Sequence, residues 1–213
     1  MQVEEEEVGK ICYLTIQESD VQEGSTQRRG GLHIEAPPVG SSGVGGNFMA
    51  HWGGGTYDEI KDRPRGGLYM ASNIAESTAV YDALICLHPH EEEENISSKG
   101  MCDMDGSCEA KIATVGEHGD IEHLRQYIPD NREYHLNPNT IDWMTDRTPH
   151  EALPVEAGVH RQYFRLVTSD ISHWYAAHST KNPNCPLPDS VTVITRSKFN
   201  RRSARIKSLN ASK

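Results

Sequence analysis

GGLHIEAP, residues 30–37, sets an apolar pair and a polar pair on alternate positions. Side chains two apart on an extended chain point to the same side. Read as a strand, the stretch turns Leu32 and Ile34 one way and His33 and Glu35 the other. One face is suited to packing, and the other holds an imidazole and a carboxylate, both of them groups that ligate metals.

Short β-type segments surround this stretch. Upstream, ICYLTI (Ile11–Ile16) is β-branched and aromatic, as strands are. A polar segment follows and ends in Arg28-Arg29-Gly30-Gly31. Downstream, PPVGSSGVGG interrupts regular structure, and FMAHWGGG predicts an apolar patch and a buried turn. Gly66–Leu87 reads as two strands joined by a turn at Asn73–Ser77. The polar run His88–Gly119 reads as an insertion or exposed loop. GDIEHLRQYI predicts a short helix with Asp120 at its N-cap and Ile121, Leu124, Tyr127 and Ile128 at helical spacing. From Asn139 to Asp170 the pattern is a strand, a turn at Pro154–Gly158, and a second strand over His160–Val167. On that last strand Arg161, Tyr163 and Arg165 share a face.

Many short strands, frequent turns and few helical signals predict a mainly β fold, a jelly roll with one or two short helices. The expected organisation is an acidic segment at 1–10, one domain at 11–183 with a polar insertion at about 88–119, and a proline-containing, then basic, disordered tail at 184–213. The chain has 213 residues, a net charge of −10 and a mean hydropathy of −0.64. That charge argues against a general nucleic-acid binder, which needs a basic face to displace counterions. The acidic runs Glu4–Glu7 and Glu91–Glu94 read as solvated segments. Neither a long apolar span nor a signal peptide is apparent, so the expected setting is intracellular and cytoplasmic, away from membranes. Five scattered cysteines suit reduced thiols.

Other candidate motifs fare less well. His88 and His90 with Cys102 and Cys108 suggest zinc, but the cysteine spacing misses the usual pattern. DMDGS (Asp103–Ser107) opens like a calcium loop, yet its twelfth position is Thr114, which cannot give the bidentate carboxylate. Phosphate-binding glycine loops and a nucleophile elbow are both missing. His51 and Trp52 could line a pocket, although a structural aromatic before a turn is the simpler reading. Trp143 and Tyr69 read as core or pocket wall.

One combination carries chemistry. His33 and Glu35 need a third ligand, and His150 in DRTPHEALPV is the best placed. Arg161 stands eleven residues beyond it, where a guanidinium can grip a carboxylate with two hydrogen bonds. This order, with HEALPVEAGVHRQYFR (residues 150–165) as its distal half, resembles the iron(II)- and 2-oxoglutarate-dependent dioxygenases of double-stranded β-helix fold. Their pattern is a His-x-Asp/Glu pair, a distal His and, about ten residues on, an Arg or Lys.

The resemblance spans roughly Gly30 to Val167. It implies Fe(II) on His33, Glu35 and His150. It also implies 2-oxoglutarate with its distal carboxylate on Arg161, Arg165 as the alternative, and the Tyr163 hydroxyl in support. Oxidative decarboxylation to succinate and carbon dioxide, coupled to hydroxylation of a small-molecule or protein substrate, is the expected outcome. Three departures from the pattern stand out: Glu35 replaces the usual Asp, Tyr163 stands where many members have Ser or Thr, and the N-terminal part is short. Two rivals follow: a non-catalytic jelly-roll binding module, and a cupin-like metal enzyme that does not use 2-oxoglutarate.

Overall fold

The alternation that begins in ICYLTI runs on past Ile16. Tyr13, Thr15, Gln17, Ser19 and Val21 turn inward while Leu14, Ile16, Glu18 and Asp20 stay exposed, so one strand, β1, spans Tyr13–Val21. Two large aliphatic side chains thus face outward and three polar ones inward, which makes sense only if the interior they meet is itself polar.

The computed structural model describes residues 8–35, 38–40, 47–49, 52–85, 101–102, 115–169 and 171–195. After β1 come β2 (Pro38–Gly40), β3 (Asn47–Met49), β4 (Thr56–Asp58), β5 (Arg63–Arg65), β6 (Gly67–Ser72), β7 (Thr78–Tyr81) and β8 (Leu84–Ile85). The remaining strands are β9 (Met101–Cys102), β10 (Glu133–His135), β11 (Asp142–Met144), β12 (His150–Ala152), β13 (Val159–Thr168), β14 (His173–Tyr175) and β15 (Thr192–Ile194). The fold is mainly β.

Two antiparallel sheets organise it. One has the order β1-β13-β6-β11 and the other β10-β7-β12. The predicted strand pair in Gly66–Leu87 is present, as β6 and β7, but the two do not pair. The turn at 73–77 hands the chain from the first sheet to the second. The single strand expected between Asn139 and the Pro154 turn is likewise two, β11 and β12, one in each sheet.

Apolar residues gather in two clusters. Leu68, Met70, Met144 and Val167 line one end of the first sheet's inner face and pack with Ile11, Trp52, Ile171 and Trp174. Leu32, Ile34, Ala79, Tyr81, Ile85, Ile121, Leu124 and Ile128 form the second cluster. Leu32 and Ile34 are each 1% exposed, so the apolar half of the opening stretch packs as expected.

Three expectations are corrected. Residues 30–35 do not form a regular strand: His33 makes isolated bridges to His150 and Asp120, and alternation survives without a continuous ladder. The expected helix is a 3-10 helix over Glu122–Tyr127 with Ile121, not Asp120, at the N-cap. Asp120 still accepts a hydrogen bond from the Glu122 amide at 3.0 Å. Six residues ended by Pro129 are too few for stable α-helical turns, and Tyr127 points outward at 38% exposure. Finally, regular pairing does not stop at 183. β15 pairs in parallel with β14, anchored by Leu187 and Val191 against the Trp174 cluster. The acidic start through Glu7, most of the 88–119 insertion and the basic tail from 196 lie outside the described residues.

Gly119 clamps the opening stretch. Its carbonyl accepts from the Ile34 amide at 2.9 Å, its φ is +82°, and a Cβ there would collide with the Ile34 carbonyl oxygen. Gly119→Ala should therefore destabilise the fold by about 1–3 kcal/mol through strain and displacement, seen as a lower denaturant midpoint at unchanged slope.

Candidate functional site

His33 and His150 are joined by two backbone hydrogen bonds, His33 N–H to His150 O at 3.1 Å and His150 N–H to His33 O at 2.9 Å. Directly opposed residues in an antiparallel bridge point to the same side. The imidazoles consequently lie side by side, ring centroids 4.5 Å apart. Each ring is oriented by its Nδ1, which donates to a carbonyl: Gly31 O at 2.7 Å for His33 and Thr148 O at 2.9 Å for His150. Nδ1 tied to a carbonyl with Nε2 left for the metal is the arrangement that metal-ligating histidines use.

Glu35 completes the predicted trio. Its amide donates to Asp146 O at 3.0 Å, and its Oε1 lies 3.7 Å from His150 Nε2. That separation is too long for a hydrogen bond, and His150 Nε2 is buried without a partner. Glu35 is instead engaged by Arg165, in an ion pair across to β13. Among the described residues no three His, Cys, Asp or Glu side chains are drawn together as a metal ion would hold them. His33 and His150 lie side by side and Glu35 comes near His150, but its carboxylate is turned to a guanidinium.

The electrostatics follow from this packing. Burial lowers the His33 pKa to about 3, with the neighbouring His150 adding to the effect, so the ring is neutral at ordinary pH. Burial pushes the Glu35 carboxyl upward, but Arg165 and the two histidines outweigh it and hold the group well below the usual carboxylate range.

Deeper on the same face of β13 stands Arg161. It is 0% exposed. Its Nε donates to Ser72 Oγ at 3.1 Å and its Nη2 to Thr78 Oγ1 at 3.0 Å, while Nη1 has no partner among the described residues. Among the described residues no carboxylate pairs with it. Tyr163, between Arg161 and Arg165 on the strand, is buried, with the Arg161 guanidinium 5.4 Å from its ring centre. The period-two placement of Arg161, Tyr163 and Arg165 on one inward face is as the sequence implied.

Several contributors carry no signal of their own in the sequence. Arg125 forks onto Glu151, Nη1 to Oε1 at 2.7 Å and Nη2 to Oε2 at 2.9 Å, and its Nε meets Glu122 Oε1 at 2.5 Å. Glu122 Oε2 accepts the Leu32 amide at 2.8 Å, and Tyr81 donates to Glu151 at 2.7 Å. Leu32 precedes His33 and Glu151 follows His150, so one arginine braces both histidine-bearing segments from behind. Gln27 and Arg28 cover the first sheet near Arg161 and Tyr163. Only the Arg28-Arg29 pair stood out in the sequence, and then merely as a lead into the motif.

Other candidates are placed as follows. Trp52 is a core aromatic, its ring centre 4.6 Å from that of Tyr13. Trp143 and Tyr69 are paired on the outer face of the first sheet, opposite to Arg161 and Tyr163, so neither lines this site. His51, His88, His90, Cys108 and the DMDGS segment lie outside the described residues, as does the side chain of Cys102. Among the described residues no helix is long and apolar enough to cross a membrane. Comparison with protein-family models, curated proteins and solved structures finds no match.

The His33 shift makes a pH prediction for the metal-free protein. Between the unfolded value near 6.5 and the folded value of about 3, the unfolded chain binds the extra proton. The stabilisation is complete above the unfolded value and is lost as pH falls toward the folded one. Unfolding free energy should decline from pH 6.5 to 5, above most carboxylate titrations, and His33→Gln should flatten that decline. Equal slopes in the two proteins would count against a neutral buried ring.

Proposed function

We propose that the chain is an oxygenase that uses ferrous iron and 2-oxoglutarate, with a jelly-roll arrangement of its two sheets. His33, Glu35 and His150 would hold the metal, and Arg161 the distal carboxylate of the co-substrate. The observation that carries this reading is Arg161 itself. A buried guanidinium without a counter-charge costs several kcal/mol, so its Nη1, which has no hydrogen-bond partner among the described residues, supports a carboxylate ligand.

The donor set fits a ferrous ion: two imidazoles with Nδ1 tied to carbonyls, and one ionised carboxylate. Bound there, iron and 2-oxoglutarate supply the oxidative decarboxylation that drives hydroxylation. The chain's own contribution is orientation. Ser72 and Thr78 aim the Arg161 fork, Arg125 steadies both histidine segments, and Glu35, now paired with Arg165, would be the carboxylate to hold the ion. Arg165 serves as the alternative carboxylate partner, and the Tyr163 hydroxyl as a further hydrogen-bond donor.

A non-catalytic jelly-roll module that binds an anion through the same arginines is the second reading. The Glu35–Arg165 pair and the open ligand set favour it. Purified protein given Fe(II), 2-oxoglutarate and oxygen should release succinate, and His150→Ala should abolish the release. Arg161→Gln should raise the 2-oxoglutarate KM by roughly 10-fold or more, the loss of a charge-assisted fork. Turnover indifferent to Arg161 would point to a cupin-like metal enzyme, and no iron binding with no turnover to the module.

A further inference from the structure

Arg161 is not the sole guanidinium at this site lacking a counter-charge. Arg28 lies with its Cζ 5.1 Å from the centre of the Tyr163 ring, and Arg161 with its Cζ 5.4 Å from that centre. Arg28 is held there by its own segment. Its Nη1 donates to Gln17 Oε1 at 3.1 Å, and Gln17 is the β1 residue opposite Tyr163. The preceding Gln27 donates to Ser19 Oγ at 3.0 Å and to the Arg161 carbonyl at 2.9 Å.

Of the three arginines around Tyr163, Arg165 has Glu35. Among the described residues neither Arg28 nor Arg161 pairs with a carboxylate. Two guanidiniums left uncompensated beside one ring repel each other, in a chain whose net charge is −10. Such an arrangement is unfavourable unless an anion joins it. Arg161, fully buried with a spare Nη1, offers the inner donor. Arg28, only partly buried, offers the outer one.

We propose that Arg28 is a second binding residue for the ligand seated on Arg161, and that the pair makes this site selective for dicarboxylates over monocarboxylates. The proposal rests on the reading above only in naming 2-oxoglutarate as that dicarboxylate. The charges count in its favour: with Arg165 neutralised by Glu35, two positive charges remain, the complement of a dianion. Ligand binding then removes the repulsion between the two guanidiniums.

Isothermal titration of the full chain without metal, using glutarate, 2-oxoglutarate and pentanoate, tests this. Glutarate and pentanoate have the same carbon count and differ by one carboxylate. Arg28→Gln should weaken glutarate about 10-fold while changing pentanoate by no more than about 2-fold, since only the dianion uses both arginines. The glutarate affinity of the unsubstituted chain should also fall with salt. Equal weakening of all three ligands would mean a structural role and overturn the proposal. So would unchanged glutarate binding in Arg28→Gln, although a loss in Arg161→Gln would then leave the oxygenase reading standing. Binding of glutarate but not 2-oxoglutarate, lost selectively in Arg28→Gln, would support the two-arginine site and sink the co-substrate assignment. If the unsubstituted chain bound none of the three, the two-arginine site would fall, and succinate release with Fe(II) would decide the oxygenase reading by itself.

Discussion

The reciprocal backbone hydrogen bonds between His33 and His150 tie two segments far apart in the chain, and most of the site's geometry follows from them. An antiparallel bridge leaves no choice about which way its two side chains point. With the imidazoles on one side, Leu32 and Ile34 must enter the cluster behind, where Ile121 and Leu124 meet them. The Arg125 fork reinforces the bridge from the rear through the neighbours Leu32 and Glu151. Packing and hydrogen bonding thus set the same register, and a one-residue slip of the opening stretch would put Leu32 or Ile34 in the place of His33.

Across the gap, the first sheet answers with charge. An acidic chain has placed three arginines around one buried tyrosine. Arg165 is compensated by Glu35, whereas Arg161 relies on two hydroxyls, which satisfy hydrogen bonds but not charge. This imbalance is the strongest pointer toward a ligand. The inward polar face of β1 has the same origin, since Gln17 and Ser19 face guanidinium-bearing neighbours and Leu14 and Ile16 are left outside.

Much of this was legible in the residues. Strict alternation in LHIE and RQYFR specifies which side chains share a face whether or not a ladder forms. Pro154 and Gly158 marked the turn at 154–158, and the polar residues Asn73, Glu76 and Ser77 the one at 73–77. The 3-10 helix was not legible as such, because Ile121, Leu124 and Ile128 satisfy either winding and the choice fell to the local i to i+3 bonds and Pro129. The fate of residues 184–195 was hidden too: two aliphatic side chains, Leu187 and Val191, in a proline-rich run say little until the Trp174 cluster is there to receive them.

The sequence by itself determined that the chain is mainly β and that His33 with Glu35, and Arg161 with Tyr163 and Arg165, present common faces. Period-two geometry is a local property of extended backbone and needs no partner. Only the tertiary structure decided that β6 and β7 enter different sheets, that Glu35 meets Arg165, and that Arg28 reaches Tyr163. Those outcomes depend on which segments pair at long range, and electrostatic partners are chosen by distance in space, which spacing along a chain does not encode.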